Sequence, residues 1–373
     1  MKERILYMKR RIIRLFTSAL LTGTMVMTMG GMSALADTEG AISSIELKKV
    51  VTTDGNTYAP NTTFEFKIEQ GNGEGSTSIG GQTFLVQPGV EGGLVLDQAN
   101  QFSFSPVQMN QIADSYTADG KINVDIDKFT APGVYHYTVR EVEPELDQKY
   151  DGILYDNKVR NVYVFIQNKE AGTGLECNYV KIVKEGEDSK SDLTFTNNYG
   201  QGEGDNDTTH DVTITKSVTG NQGDKGRAFT FTAEIKSSNE GEFYKVVLEK
   251  KDGSNTETID HMESGKSETF TLKDGESMHI YGLTQGDTYT VSEEDYSKDG
   301  YITTIDGKQI AAENGKVTKV GNVKVDGETI KVENNKTVST PTGLALSFGP
   351  YALMVGLAGV FGALFLRKKR DEE

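Results

Sequence analysis

Residues 45–51, reading Ile45-Glu46-Leu47-Lys48-Lys49-Val50-Val51, carry the pattern that decides the fold. Apolar side chains stand at 45, 47 and 51, so a period of two puts Lys49 on the apolar face of a strand. The phrase returns as Val212-Thr213-Ile214-Thr215-Lys216-Ser217-Val218, with Lys216 in the same place. Further strands are read at Phe64–Ile68, Tyr135–Val139, Val162–Ile166, Phe229–Thr232 and Thr288–Val291. They are rich in Thr, Val, Tyr and Phe, the residues that suit a pleated, half-buried surface, and Gly, Asn and Asp separate them. Helical periodicity is scarce. The pattern predicts an all-β chain built of sandwiches.

The repetition extends beyond the two lysines. Tyr137-Thr138-Val139-Arg140-Glu141 is matched by Tyr289-Thr290-Val291-Ser292-Glu293. Leu193-Thr194-Phe195-Thr196-Asn197 is matched by Ile330-Lys331-Val332-Glu333-Asn334. Each half therefore holds one Lys, one Glu and one Asn in the same order. A lone strand lysine ordinarily keeps its ammonium in water; two matched sets point to chemistry. Burial disfavours the charged amine and leaves a neutral nucleophile, while a buried Glu is pushed to stay protonated. Such an acid can donate to an Asn carbonyl oxygen and relay protons to departing ammonia. The product is an amide between Lys and Asn, driven by the proximity the fold supplies. The reaction happens once per domain and turns nothing over, so the chain is not read as an enzyme.

The ends of the chain are addresses. Lys2, Arg4, Lys9, Arg10, Arg11 and Arg14 precede an apolar stretch that closes on Ala34-Leu35-Ala36, the pattern of a secretory signal peptide cleaved after Ala36. At the other end stand Thr340-Pro341-Thr342-Gly343, then an apolar run from Leu344 to Leu366 long enough to span a bilayer as a helix, then Arg367-Lys368-Lys369-Arg370. The division expected is a signal peptide at 1–36, a first domain at 37–199, a linker at 200–210, a second domain at 211–336, and a tail at 337–373.

Composition narrows the function. The formal charge is −16, and it becomes more negative once the basic leader and tail are removed. Such a surface repels nucleic acid and anionic lipid. A single cysteine, Cys177, rules out an intrachain disulfide, so a secreted chain of this kind needs another staple. Cys177 sits in an apolar strand and reads as a buried structural thiol. His136, His210, His261 and His279 show no metal-ligand spacing, and no metal or cofactor is expected.

The tripartite tail resembles a sortase sorting signal of the LPxTG class, in a shorter form. The mature region resembles the isopeptide-containing backbone pilins of Gram-positive bacteria, and among them the two-domain major pilins of group A streptococci. The residues that carry this are Ala59–Ile68, Pro132-Gly133-Val134-Tyr135, Thr271–Ser277 and Glu293-Glu294-Asp295-Tyr296. The resemblance implies two tandem immunoglobulin-like (Cna-B-type) sandwiches. It implies one cross-link from Lys49 to Asn197 with Glu141 as catalyst, and another from Lys216 to Asn334 with Glu293. The Lys48-Lys49 pair offers two candidates for the first, and strand parity favours Lys49. It also implies a sortase that cleaves after Thr342 and joins it to Lys190 of the next subunit, with Lys181 and Lys184 as the fallback lysines. The partners implied are the sortase, identical subunits in a head-to-tail fibre, other pilins and peptidoglycan. The product is a secreted fibre anchored to the cell wall, its precursor held in the membrane by the C-terminal helix. The rival is a wall-anchored adhesin or minor pilin that binds a host ligand directly. A secreted enzyme finds no support: no nucleophile–base motif is visible.

Overall fold

The computed structural model describes residues 41–79, 81–97, 101–146, 148–200, 209–323, 327–338 and 353–361. The leader ending at Ala36, the motif Thr340–Gly343 and most of the linker read at 200–210 lie outside the described residues. Residues 353–361 are helical, and among the described residues no helix is long and apolar enough to cross a membrane.

The chain is all-β, arranged as two sandwiches. The first is built from β1 (Ser44–Thr52), β2 (Thr62–Gln70), β3 (Ser76–Ile79), β4 (Gln82–Pro88), β5 (Leu94–Leu96), β6 (Gln101–Phe104), β7 (Ser115–Val124), β8 (Gly133–Val142), β9 (Ile153–Leu154), β10 (Arg160–Asn168), β11 (Leu175–Lys184) and β12 (Leu193–Tyr199). One sheet runs β5-β7-β1-β12-β9 and the other β11-β10-β8-β2-β6, with the β3–β4 hairpin joined to β8. The second sandwich is built from β13 (His210–Thr219), β14 (Phe229–Lys236), β15 (Phe243–Glu249), β16 (Asn255–Glu263), β17 (Ser267–Leu272), β18 (Ser277–Leu283), β19 (Thr288–Glu294), β20 (Ile302–Ile305), β21 (Lys308–Gln309), β22 (Lys316–Asn322) and β23 (Glu328–Asn335). Its sheets run β16-β15-β18-β13-β23-β20-β21 and β17-β14-β19-β22.

Alternation accounts for the layering. Along β1 the inward residues Ile45, Leu47, Lys49 and Val51 are buried, while Glu46 and Lys48 are exposed. Phe66 packs edge-on against both Phe102 and Phe195 at 5.1 and 4.9 Å, tying the two sheets of the first core. Gly120 leaves room in β7 for this packing: a Cβ there would lie 2.5 Å from the Phe102 ring. In the second core Phe231 stacks on Phe270, and Phe229 meets Tyr301 edge-on at 5.4 Å. In each sandwich the first and last strands lie side by side and parallel, β1 with β12 and β13 with β23. Parallel pairing of the two ends requires the whole intervening chain as its crossover.

The sandwiches meet over an aromatic and acidic seam. Tyr58 of the first packs edge-on against Phe243 of the second, which stacks on His261. Asn61 Nδ2 donates to the Glu240 carbonyl at 2.9 Å, and Lys245 Nζ donates to Asn56 Oδ1 at 2.9 Å. Deeper in the seam the Tyr199 hydroxyl donates to Glu242 Oε1 at 3.2 Å. The Tyr244 hydroxyl lies 3.1 Å from Glu242 Oε2 and 3.3 Å from Asp287 Oδ2. Gly152, at φ +83, passes close above this seam, where a Cβ would meet the Tyr199 ring at 2.9 Å and the Thr284 methyl at 3.1 Å.

Burial first, and Asp287 second, push the Glu242 carboxyl up to about 7, and burial moves Asp287 the same way. A carboxyl raised in the folded state binds a proton there that the unfolded chain has already lost. Its contribution to stability is therefore present at low pH and lost as pH rises toward 7. Melting of the wild type should weaken between pH 5 and 8 more steeply than that of Glu242→Gln, whose amide keeps the tyrosine contacts without the charge. Equal slopes in a melting series over that range would remove Glu242 from the account.

Candidate functional site

In the first sandwich three strands bring one side chain each to a common point. β1 contributes Lys49, β12 contributes Asn197, and β8 of the facing sheet contributes Glu141. Val51 lies opposite Asn197 in the β1–β12 ladder and Lys49 opposite Phe195, so both inward faces coincide. Glu141 lies opposite Phe66 in the β2–β8 ladder. Lys49 Nζ donates to Glu141 Oε2 at 2.8 Å, and Asn197 Nδ2 donates to Glu141 Oε1 at 2.6 Å. All three side chains are buried, and the amine sits 4.5 Å from the centre of the Phe64 ring. Burial lowers the Lys49 amine to about 8 although Glu141 pulls it back, and burial raises Glu141 against the pull of Lys49. Proton sharing thus shifts toward a neutral amine facing a neutral acid, the state in which the lysine is a nucleophile. Lys48, by contrast, is exposed and reaches toward Asp119.

The second sandwich repeats the plan with the same offsets. Lys216 lies on β13, and Asn334 on β23 opposite Val218. Glu293 lies on β19 opposite Phe231. Lys216 Nζ is 3.3 Å from Glu293 Oε1 and 4.3 Å from the centre of the Phe229 ring. Burial lowers the Lys216 amine to about 8 and raises Glu293. The amide of Asn334 is buried, and its Oδ1 has no hydrogen-bond partner among the described residues. A polar group buried without a partner costs about 1–3 kcal/mol, so this carbonyl oxygen stands in an unrelieved position. Thr303 Oγ1 donates to Glu293 Oε2 at 3.2 Å.

The lysines considered for a link to another subunit differ in setting. Lys190 is exposed on the segment between β11 and β12, bridged through its backbone to Val183, with Nζ 5.6 Å above the Tyr179 ring. Partial burial lowers its amine below the ordinary value. Lys181 Nζ is engaged by Thr77 Oγ1 at 3.2 Å and the Ser78 carbonyl at 3.3 Å, beneath the β3–β4 hairpin. Lys184 is half-buried at the end of β11. Cys177 is buried, its thiol pushed up to about 12 by desolvation.

Two residues beside the first site were not singled out from sequence. Arg160, at the head of β10, is buried and bonds Asp156 Oδ2 through Nη2 at 2.7 Å and the Thr194 carbonyl at 2.7 Å. The backbone N–H of Asp156 donates to Asn197 Oδ1 at 2.8 Å. The inward parity of Arg160 in Val159-Arg160-Asn161-Val162 was a readable signal. Asp156 lies in a loop and offered none.

Residues 45–200 match the family described as a Spy0128-like isopeptide containing domain, and residues 210–336 match a domain family of unknown function. The chain is 28% identical to a pilin of Streptococcus pyogenes serotype M1, over 96% of this chain and 98% of that protein. A 136-residue stretch is 41% identical to the pilus tip adhesin Cpa of Streptococcus pyogenes, covering 36% of this chain and 18% of the adhesin. A solved structure of the Streptococcus pyogenes major pilin superposes with a TM-score of 0.54 at 24% identity, over 79% of this chain and 99% of that one. The T3.2 major pilin superposes with a TM-score of 0.53 at 25% identity, over 80% and 99%.

Proposed function

We propose that this pilin-like chain, whose first sandwich is a Spy0128-like isopeptide containing domain, is the major structural subunit of a sortase-assembled covalent pilus. Its units run from 37 to 199 and from 211 to 336, with a linker at 200–210, a signal peptide cleaved after Ala36 and a sorting tail from 337. Within each unit an amide ties the first strand to the last, Lys49 to Asn197 and Lys216 to Asn334, with Glu141 and Glu293 as the catalytic acids. A sortase cleaves after Thr342 in Thr340-Pro341-Thr342-Gly343 and passes the new carboxyl to Lys190 of the adjacent subunit. Successive subunits, with other pilins, form a fibre held on the peptidoglycan, and the fibre serves adhesion and colonisation. The chain is the sortase's substrate and turns nothing over.

One observation carries this reading: the same buried lysine–glutamate–asparagine cluster stands at the same ladder offsets in both sandwiches of a chain similar to a pilin along nearly its whole length. Lys190 is favoured as the linking lysine because its amine is exposed, whereas that of Lys181 is held by the hairpin. A head-to-tail link of this kind does not close on itself, so it yields a fibre. A second reading, a wall-anchored adhesin or minor pilin that binds a host ligand, draws on the stretch shared with the tip adhesin. It explains less, since that stretch is 18% of the adhesin while 98% of the pilin is matched.

The test is an immunoblot of boiled SDS extracts from walls of producing cells. A ladder of high-mass species is expected from the wild type. Lys190→Arg keeps the charge and removes the nucleophile, and should leave monomer that still folds and is exported. A ladder persisting in that variant would move the role to Lys181, Lys184 or another lysine. A ladder surviving deletion of Thr340–Gly343 would overturn sortase polymerisation, and a single wild-type band would favour the adhesin.

A further inference from the structure

We propose that the backbone N–H of Asp156 is a catalytic group of the first site, the donor that holds the carbonyl oxygen of Asn197 while Lys49 attacks it. This rests on the cross-link reading above and alters the division of labour expected from the sequence. There, the glutamate was to donate to the asparagine oxygen. Here the oxygen is already engaged on the opposite side, by Asp156 N–H at 2.8 Å, and the amide nitrogen faces Glu141 at 2.6 Å. A backbone N–H can only donate, so its partner must be Oδ1, and that fixes the amide's orientation. The carbonyl is polarised from one side and its leaving nitrogen faces the acid on the other.

The reaction can be written with every atom in place. The lone pair of neutral Lys49 Nζ forms a bond to Asn197 Cγ, and the carbonyl π electrons move onto Oδ1, where Asp156 N–H stabilises them. The surplus proton on Nζ passes to Glu141 Oε2, while Glu141 gives its own proton from Oε1 to Nδ2. The Cγ–Nδ2 bond then breaks, its electrons leave with ammonia, and the carbonyl re-forms. Glu141 ends protonated as it began. An amine and a carboxamide become a secondary amide and ammonia, with no other reactant.

The donor is held firmly enough for this task. The Asp156 carboxylate is gripped by Arg160 through both Nη atoms, at 2.7 and 3.4 Å. It also accepts from the backbone N–H groups of Lys158 at 3.1 Å and Thr196 at 3.2 Å. Thr196 adjoins Asn197, so the same carboxylate ties the loop to the strand that carries the electrophile. A donor fixed before the reaction stabilises developing oxyanion charge without having to reorganise. The second site carries no such donor among the described residues, for Asn334 Oδ1 is unpartnered.

The experiment follows ammonia loss in time. The mature chain, recovered unfolded and unlinked, is refolded, and each bond is followed by intact mass and by mass mapping of the linked peptides. The Lys216–Asn334 bond serves as an internal clock in the same molecule. Asp156→Pro removes the N–H; Asp156→Ala keeps it and removes only the carboxylate. Loss of one oxyanion donor typically slows a reaction about 10²–10³-fold. Asp156→Pro should slow the first bond by about that factor, leave the second unchanged, and be slower than Asp156→Ala. Equal slowing in the two variants, or a first bond formed at the wild-type rate in Asp156→Pro, would overturn the proposal. If Asp156→Pro leaves the first sandwich protease-sensitive, an ester in place of the amide at 156, with the aspartate side chain retained, decides by the same criteria. No ammonia loss from either sandwich of the wild type would instead overturn the cross-link reading itself.

Discussion

The purified mature ectodomain, weighed intact, is expected to be lighter than its sequence mass by one ammonia for each sandwich. Each cluster holds, out of water, the three groups the reaction needs. Nothing in either cluster calls for an external catalyst: the amine is lowered toward neutrality by burial, the acid is raised by it, and in the first cluster the amide donates to the acid. Glu141→Ala should restore one ammonia and Glu293→Ala the other, because each substitution removes the proton relay from its own site alone. Both together should return the full sequence mass. A wild-type ectodomain at full sequence mass would refute both bonds at once. Retention of the loss in Glu141→Ala would show that the acid is dispensable there.

Asn197→Ala should melt at a clearly lower temperature and yield to trypsin. A Lys49–Asn197 amide closes a loop of about 150 residues, and the chain-entropy estimate used for disulfides values such a closure at about 5 kcal/mol. The substitution also leaves the Lys49 amine and Glu141 without their third partner, in a site where the side chains are fully buried. Lys49→Ala removes the bond and the buried amine together, so comparing the two separates the closure from the orphaned charge. The corresponding loop in the second sandwich is about 120 residues, which the same estimate values almost equally. Asn334→Ala should therefore cost its own sandwich a similar amount. Unchanged melting and proteolysis in Asn197→Ala would mean that Asn197 is not bonded.

Much of this was legible because β-structure converts spacing into direction. Lys49 and Lys216 could be placed on inward faces from two apolar neighbours on either side, and the repetition of Glu and Asn supplied the rest of each cluster. Where a residue's placement depends on its own strand, sequence sufficed. Where it depends on what another strand brings, sequence was silent. Asp156 acts through a backbone N–H, which every residue but proline possesses, so no side-chain pattern could announce it. The seam between the sandwiches joins Tyr199, Glu242, Tyr244 and Asp287, which no local period connects. The engagement of Lys181 by Thr77 depends on how the β3–β4 hairpin folds over β11, and three lysines therefore stayed open in the sequence reading.

The parallel pairing of first and last strands would give the two proposed amides unequal mechanical duties. In a fibre joined through Lys190 and Thr342, tension enters the first sandwich at Lys190 and runs along β12 into the second. The strands from β1 to β11 hang beside this taut segment and carry none of it. Lys49–Asn197 therefore lies off the line of tension and serves as a tether that keeps β12 from being drawn out of its sheet. In the second sandwich tension arrives on β13 and leaves from β23, which share eight paired residues and would be sheared past one another. There a Lys216–Asn334 amide would bridge entry and exit, and lock the chain between them away as slack that cannot be paid out. Without it, that slack is about 120 residues, or about 400 Å at full extension. A pulled fibre lacking the first amide should keep its length and lose a domain; one lacking the second should lengthen in steps.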